Sequence, residues 1–377
     1  MKQLQQDCWQ INAHGFLMTP EPLLSLSGYL PDGIAEQLDH LSVTLPDLLE
    51  SKQVIETVKK LPLVNVTQLT DSMAVERTFQ IYGYLATAHI LEDSKETGQV
   101  IPENIAVPLC NLAEMVQRPP ILSYAPFTLS NWRMIDSEGE FVVDNLELVH
   151  QFLYLKDASW FTLIHVDIEA RAGQAVQAIP IILEATEQDD DAVLMTQLEN
   201  IHAGLDAMMR TLKRMPEHCH PKVYYHEVRR VMFGFNEVIY ENAPQYGGKP
   251  QSFLGETGAQ SSIIPSLVRL MGITHEESSM TRYLMVMRDY MPQPHRQFIE
   301  SINPTQVREY ILKKRSAPLN EAYNHTLHQL LTFRKMHIRY AASYIANQSS
   351  DSLGTGGTEF MTWLQQLIDE TEAQLLA

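Results

Sequence analysis

Residues 332–341, TFRKMHIRYA, hold the pair of side chains with the most specific chemistry in the chain. On a helix, Leu330, Arg334, His337, Ala341 and Tyr344 follow at three- and four-residue steps and share one face. That face is otherwise apolar. A buried imidazole must find a hydrogen bond or a metal, because burial without a partner is costly. Two readings stand at this point, a core histidine bonded to a backbone carbonyl and a metal ligand. Arg334, one turn earlier, bears on the second. A planar iron cofactor carrying carboxylates would use both groups, the imidazole nitrogen on iron and the guanidinium on a propionate. Zinc would ask for three or four convergent ligands, and neither an HExxH motif nor a cysteine pair supplies them.

His165 lies on the apolar stripe of another helical stretch, with Phe161 and Ile168 beside it and Glu169 one turn on. A His–Glu metal pair and a hydrogen-bonded core pair are both compatible with that spacing. PEHCHPK, residues 216–222, has three adjacent ligand-type residues, which cannot easily converge on one tetrahedral ion; its flanking prolines mark a connector. YYHEVRR, residues 224–230, puts Tyr225 and Arg229 on one helical face and Arg230 on another. It reads either as a surface salt-bridge patch or as a carboxylate clamp with aromatic walls. GTGGTEF, residues 354–360, lacks the lysine and preceding strand of a phosphate loop, yet its glycines would let backbone N–H groups approach a ligand closely. There is no GxSxG, and no cysteine sits in an activating setting.

The elements that must position these groups are mostly helices. The first ~145 residues are punctuated by prolines, with a helix expected in 44–62 whose first turn would hold Pro46. QRPPILSYAPFTLSNWR, residues 117–133, reads as extended or irregular. From ~150 onwards long amphipathic patterns dominate: 160–185, 194–215, 321–346 and 359–376. No strand–helix alternation appears, so a parallel α/β sheet is not expected. The expected fold is mainly α: a smaller, mostly helical N-terminal domain over 1–145 and a large all-α domain over 146–377.

The bulk composition narrows the function classes. The 377 residues are 45% hydrophobic and 20% charged, the balance of a soluble globular protein. A formal charge of −18 argues against a nucleic-acid partner and against a polybasic membrane anchor. The start, MKQLQQDCWQ, has no apolar core of a signal peptide, and apolar runs stop short of the ~20 residues of a membrane span. Three scattered cysteines suit a reducing compartment, so a cytoplasmic location is expected.

Several motifs in register resemble the indoleamine 2,3-dioxygenase family of haem enzymes. They are GAQSS (258–262), MRDYMPQPHRQFI (287–299), RKMHI (334–338) and GTGGT (354–358). The likeness continues through LPDLLES (45–51), ENIAVPLCNL (103–112) and PPILSYAPFTLSNW (119–132), and so covers nearly the whole chain. The resemblance implies haem b as cofactor, O2 as co-substrate and a small indole or tryptophan as substrate. His337 would be the proximal iron ligand and Arg334 the partner of a haem propionate. Arg229 would bind the substrate carboxylate, with Tyr224 and Tyr225 as aromatic pocket residues. Tyr124, Phe127, Thr128 and Phe161 would line the indole pocket. Thr257, Gly258 and Ala259 would sit over the haem, and Thr355 and Gly356 would belong to the loop that closes on the amino-acid end.

The implied reaction is addition of O2 across the indole C2–C3 bond to give an N-formylkynurenine-type product, with His165, Arg229 and Phe161 nearest the chemistry. Three positions depart from the family pattern. His165 stands where a serine is found in the mammalian enzymes, Phe127 where a smaller residue is usual, and Val268 where an acid would hold the propionate-pairing arginine. His165 and Phe127 leave open a haem enzyme performing another oxidation or rearrangement of an indole. A third reading, a non-catalytic haem- or indole-binding protein, would not need Arg229.

Overall fold

The computed structural model describes residues 8–18, 21–93, 98–348 and 360–377. The fold is mainly α. In chain order the helices of five residues or more are α1 (Asp32–Glu50), α2 (Val54–Val58), α3 (Ser72–Glu92), α4 (Glu103–Val116), α5 (Lys156–Arg171), α6 (Gly173–Glu187) and α7 (Asp191–Leu212). They continue with α8 (Ile263–Leu270), α9 (Ser279–Arg288), α10 (Gln293–Ser301), α11 (Gln306–Lys314), α12 (Ala317–Tyr344) and α13 (Phe360–Glu372). Short strands β1 (Val100–Ile101), β2 (Arg133–Met134), β3 (Leu146–Glu147), β4 (Phe235–Tyr240) and β5 (Gln251–Phe253) accompany them. No helix among the described residues is long and apolar enough to cross a membrane.

The chain divides into two compact units. One, the long-helix unit, takes Met1–Leu17, Ile164–Lys222 and Ser261–Ala377; the other, the sheet-bearing unit, takes Met18–Leu163 and Val223–Gln260. Residues 1–145 and 146–377 therefore both contribute to each unit.

In the long-helix unit, α6 packs on α7, α7 on α12, and α12 on α13. The Asp190 carboxylate caps α7 by accepting from the Val193 N–H at 3.0 Å, and a reciprocal Ser278–Thr281 box starts α9. Pro318 lies in the first turn of α12, where a missing N–H costs nothing. The stripe Leu319, Tyr323, Leu327, Leu330 and Leu331 buries one side of that helix, as its spacing predicts.

The pattern over 160–185 is not one helix but two, α5 and α6, meeting at Ala172. The reason is a pair of glycines. Gly15, at φ +67°, lies against the Glu169 carbonyl, and a Cβ on Gly173 would overlap the Ala13 carbonyl. Chain passing this close to the helix junction leaves room for backbone only.

In the sheet-bearing unit, α3 is buried on nearly every side and carries α1, α2 and α4. Its start is fixed by Asp71, which accepts from the Ala74 N–H at 2.9 Å. β1 pairs in parallel with β4, Val100 opposite Ile239, and β4 pairs antiparallel with β5. Two local expectations are corrected here. Pro46 does not start a helix: α1 begins at Asp32 behind Pro31, and Pro46 sits inside it. Residues 125–129 are not irregular but a five-residue π-turn, closed by Ser130 N–H to the Ala125 carbonyl at 3.0 Å.

Candidate functional site

In the long-helix unit, α12 is held towards both ends by tyrosines. The Tyr323 hydroxyl donates to the Met271 carbonyl, and the Tyr344 hydroxyl donates to the Cys219 carbonyl at 2.7 Å. Between these anchors Leu330, Leu331, Arg334 and Ala341 are buried, while His337 on the same stripe is exposed. Its ring runs parallel to Phe333, centroids 6.5 Å apart, and neither ring nitrogen has a hydrogen bond among the described residues. The surroundings nevertheless push its pKa down to about 4: desolvation contributes most, then the nearby His165 and Arg334. The core-histidine alternative, which needs a carbonyl partner, is not what α12 presents. At neutral pH the imidazole is uncharged, the form that ligates metal.

Arg334 is only 7% exposed, and its Nε and Nη1 are buried without a hydrogen-bond partner. Burial pulls its pKa down to about 10 against the opposing charge of Glu370. A buried guanidinium with two idle donors is expensive unless an anion arrives. His165 is half-buried on α5. Glu169, one turn on, is fully buried and accepts from the Ser261 hydroxyl at 2.7 Å, which is the hydrogen-bonded core role rather than the metal-pair role. Among the described residues there is no group of three or more His, Cys, Asp or Glu that could hold a metal ion. One open imidazole and one unpaired guanidinium fit a cofactor that brings its own chelate and its own carboxylates, as haem does.

In the sheet-bearing unit, Tyr124, Phe127 and Thr128 are buried at the π-turn. Gln80 Nε2 secures that turn by donating to the carbonyls of Pro126 at 2.7 Å and Ser130 at 3.2 Å. Gln260 ties it to the next segment. Its Oε1 accepts from the Tyr124 N–H at 2.8 Å and its Nε2 donates to the Gly255 carbonyl at 2.9 Å. Thr257, Gly258 and Ala259 lie within the span that Gln260 closes, half-buried to exposed. Phe161 meets Tyr224, ring centroids 4.8 Å apart. The Arg229 guanidinium stands 5.2 Å above the Tyr225 ring. Arg230 turns away to an exposed contact with Glu227 at 3.5 Å, so the two adjacent arginines have different neighbours.

Some sequence-derived candidates do not join these groups. His218 and His220 are exposed on either side of buried Cys219, whose carbonyl serves Tyr344, so PEHCHPK is a connector. Thr355 and Gly356 lie outside the described residues.

The structure adds residues that pattern reading missed. Tyr84 stacks on His150 at 4.0 Å and, at 6.2 Å, on Phe127. Both His150 ring nitrogens are buried without a hydrogen-bond partner, and burial, then Arg77, holds its pKa well below the usual range. Glu256 is buried, and desolvation pushes its carboxyl up to about 8. Its charge helps to raise the Tyr84 phenol. Only Gln260, inside GAQSS, lay in a motif; the others sit in stretches without periodicity.

The family model described as Indoleamine 2,3-dioxygenase matches residues 5–353. Indoleamine 2,3-dioxygenase 1 of Rattus norvegicus is 32% identical, the match covering 88% of each chain. Indoleamine 2,3-dioxygenase of Saccharomyces cerevisiae is 29% identical over 96% of this chain and 91% of its own. A protein of Haliotis madaka named Myoglobin is 27% identical over 95% of both. With the family model spanning residues 5–353 and a 32% identical relative matched over 88% of each chain, the chain belongs to the indoleamine 2,3-dioxygenase family of haem-dependent oxidoreductases.

Proposed function

We propose that the protein is a cytosolic haem b dioxygenase that inserts both atoms of O2 across the C2–C3 bond of tryptophan or a related indole, giving an N-formylkynurenine-type product. The observation that carries this reading is the α12 pair: among the described residues, Arg334 has buried Nε and Nη1 without a partner, and His337, one turn later, makes no hydrogen bond. Within 146–377, His337 would hold the iron through its neutral imidazole and Arg334 would pair with a propionate. When bound, the haem supplies O2 activation.

The chain's own residues orient and enclose. Arg229, braced by Tyr225, takes the substrate carboxylate as a bidentate donor and fixes the amino-acid end. Phe161 and Tyr224 provide an aromatic contact for the indole, and Tyr124, Phe127 and Thr128 provide a rigid, dry wall on the π-turn. His165 offers a hydrogen bond to the reacting end. Thr257, Gly258 and Ala259 keep the segment closed by Gln260 free of bulky side chains. No general acid–base pair is asked of the protein.

The name Myoglobin on one relative of near-equal length favours a second reading, reversible O2 carriage without catalysis. One experiment separates the two. Protein loaded with hemin is reduced anaerobically and exposed to ¹⁸O2 with L-tryptophan, and the products are weighed by mass spectrometry. A product heavier by two ¹⁸O atoms is expected. A stable oxygenated spectrum with tryptophan returned unchanged would establish the carrier instead.

A further inference from the structure

Two histidines face each other where α7 packs on α12 in the long-helix unit. His202 of α7 and His325 of α12 have ring centroids 3.9 Å apart and planes inclined by 29°. Beside them the Thr326 hydroxyl reaches across to the Leu198 carbonyl at 3.3 Å, so the two helices fix the separation of the rings. His325 is exposed and His202 half-buried. The pair stands roughly 18 Å before His337 along α12, outside the reach of a cofactor ligated there.

His325 also lines a cavity of about 790 Å³ between the first halves of the two helices. The lining includes the Glu199 and Glu321 carboxylates, the His328 imidazole and the Asn320 amide, whose Oδ1 is buried without a hydrogen-bond partner. No lysine or arginine is part of it. The spacing gathers these groups: Glu199 and His202 lie one turn apart on α7, and Glu321, His325 and His328 follow at four and three residues on α12.

These residue types favour a cation. Two imidazole nitrogens that share one ion at ~2.0–2.1 Å each stand roughly 3–4 Å apart, about the spacing these rings already keep. Turning each ring about its own bonds brings a nitrogen of each to a common point. Burial, then the neighbouring His325, lowers the His202 pKa against the pull of Asp206, which leaves the ring neutral and able to ligate. The carboxylates around the cavity attract positive charge. They are not drawn together with the histidines into a group of three, so water completes the coordination and the ion exchanges freely. Imidazole selects zinc, nickel or copper over the oxygen-seeking magnesium and calcium. We propose that His202 and His325 form a two-histidine site for an exchangeable divalent transition-metal ion, which clips α7 to α12.

The test is calorimetric titration of ZnCl2 into the full-length, hemin-loaded protein, stripped beforehand with a chelator. His202→Gln and His325→Gln are each expected to weaken the tightest Zn²⁺ site at least about tenfold, since even a supporting partner of a metal ligand is worth that much. The double variant should bind no more weakly than either single one, because one lost ligand already dissolves the pair. Zn²⁺ should raise the melting temperature of the parent and leave that of each variant unchanged, a contrast that lost packing alone would not produce. Mg²⁺ should neither bind there nor compete. The same contrast is expected in haem-free protein, so the outcome does not depend on the haem reading. Equal Zn²⁺ affinity and equal melting shifts in parent and variants would overturn the proposal. So would Mg²⁺ binding as tightly as Zn²⁺, which would leave the carboxylates acting alone.

Discussion

The guanidinium of Arg229 stands 5.2 Å above the ring of Tyr225, four residues before it in sequence but across the junction of a π-turn and a 3₁₀ turn. The aromatic face holds the cation in place while leaving its planar edge for a carboxylate. Arg229→Ala is therefore expected to raise KM for L-tryptophan by roughly 10–100-fold, the worth of a charge-assisted pair. Free indole, which has no carboxylate, should lose little. Steady-state kinetics on both compounds check this. Equal losses would remove Arg229 from the carboxylate.

His337→Ala is expected to replace the sharp Soret band of hemin-loaded protein with the broad absorption of unligated hemin while leaving the haem-free fold intact. The ring is exposed at its surface, so little packing is lost. Absorbance and thermal melting of the haem-free form, with a change within about 1 °C, are the two readings.

Gln260 joins two segments through its single amide. Gln260→Ala would strand the buried Tyr124 N–H and the Gly255 carbonyl, at a cost of about 2–3 kcal/mol. Urea unfolding measures that loss, and KM for tryptophan should rise with it because Tyr124 loses its tether.

Glu256 gives a pH signature. Its folded-state pKa of about 8 lies above that of an unfolded glutamate, so the native state holds the extra proton. Stability should therefore fall as pH rises between about 4.5 and 8, as the carboxyl ionises without a cationic partner. Glu256→Gln removes that loss. The variant is expected to melt roughly 2–5 °C above the parent at pH 9 and close to it at pH 5. A constant difference across that range would exclude Glu256 as the cause.

Gly173→Ala is expected to destabilise the protein by about 2 kcal/mol or more, because its Cβ would enter the Ala13 carbonyl. Gly33→Ala in α1 is the control. Nothing lies within 4 Å of its Cβ position, and alanine is the better helix former.

The long helices α7, α12 and α13 were legible because their apolar residues recur every three or four positions and each must bury one stripe. Arg334 and His337 were legible as a pair for the same reason. The family likeness gave the rest of the expected site. The break between α5 and α6 was not legible, since it depends on Gly15 and Ala13, more than 150 residues away in sequence. Nor was the π-turn at 125–129, whose wider winding is stabilised by Gln80 from another helix. The strand Phe235–Tyr240 escaped notice because only part of it is buried, so its alternation is imperfect. Glu256 and Glu370 carry no local signal of their burial or their partners. Long-range contact alone distinguishes them from solvated glutamates.

The parallel pairing of Val100 with Ile239 also sets a timetable for biosynthesis. A ribosome adding about 5–20 residues per second needs on the order of ten seconds to travel from one strand to the other. Until then the early strand has no mate, and the prolines and helices that follow it emerge into a half-built scaffold. A nascent chain stalled anywhere in that interval leaves the Val100–Ile101 edge unpaired and open to a chaperone.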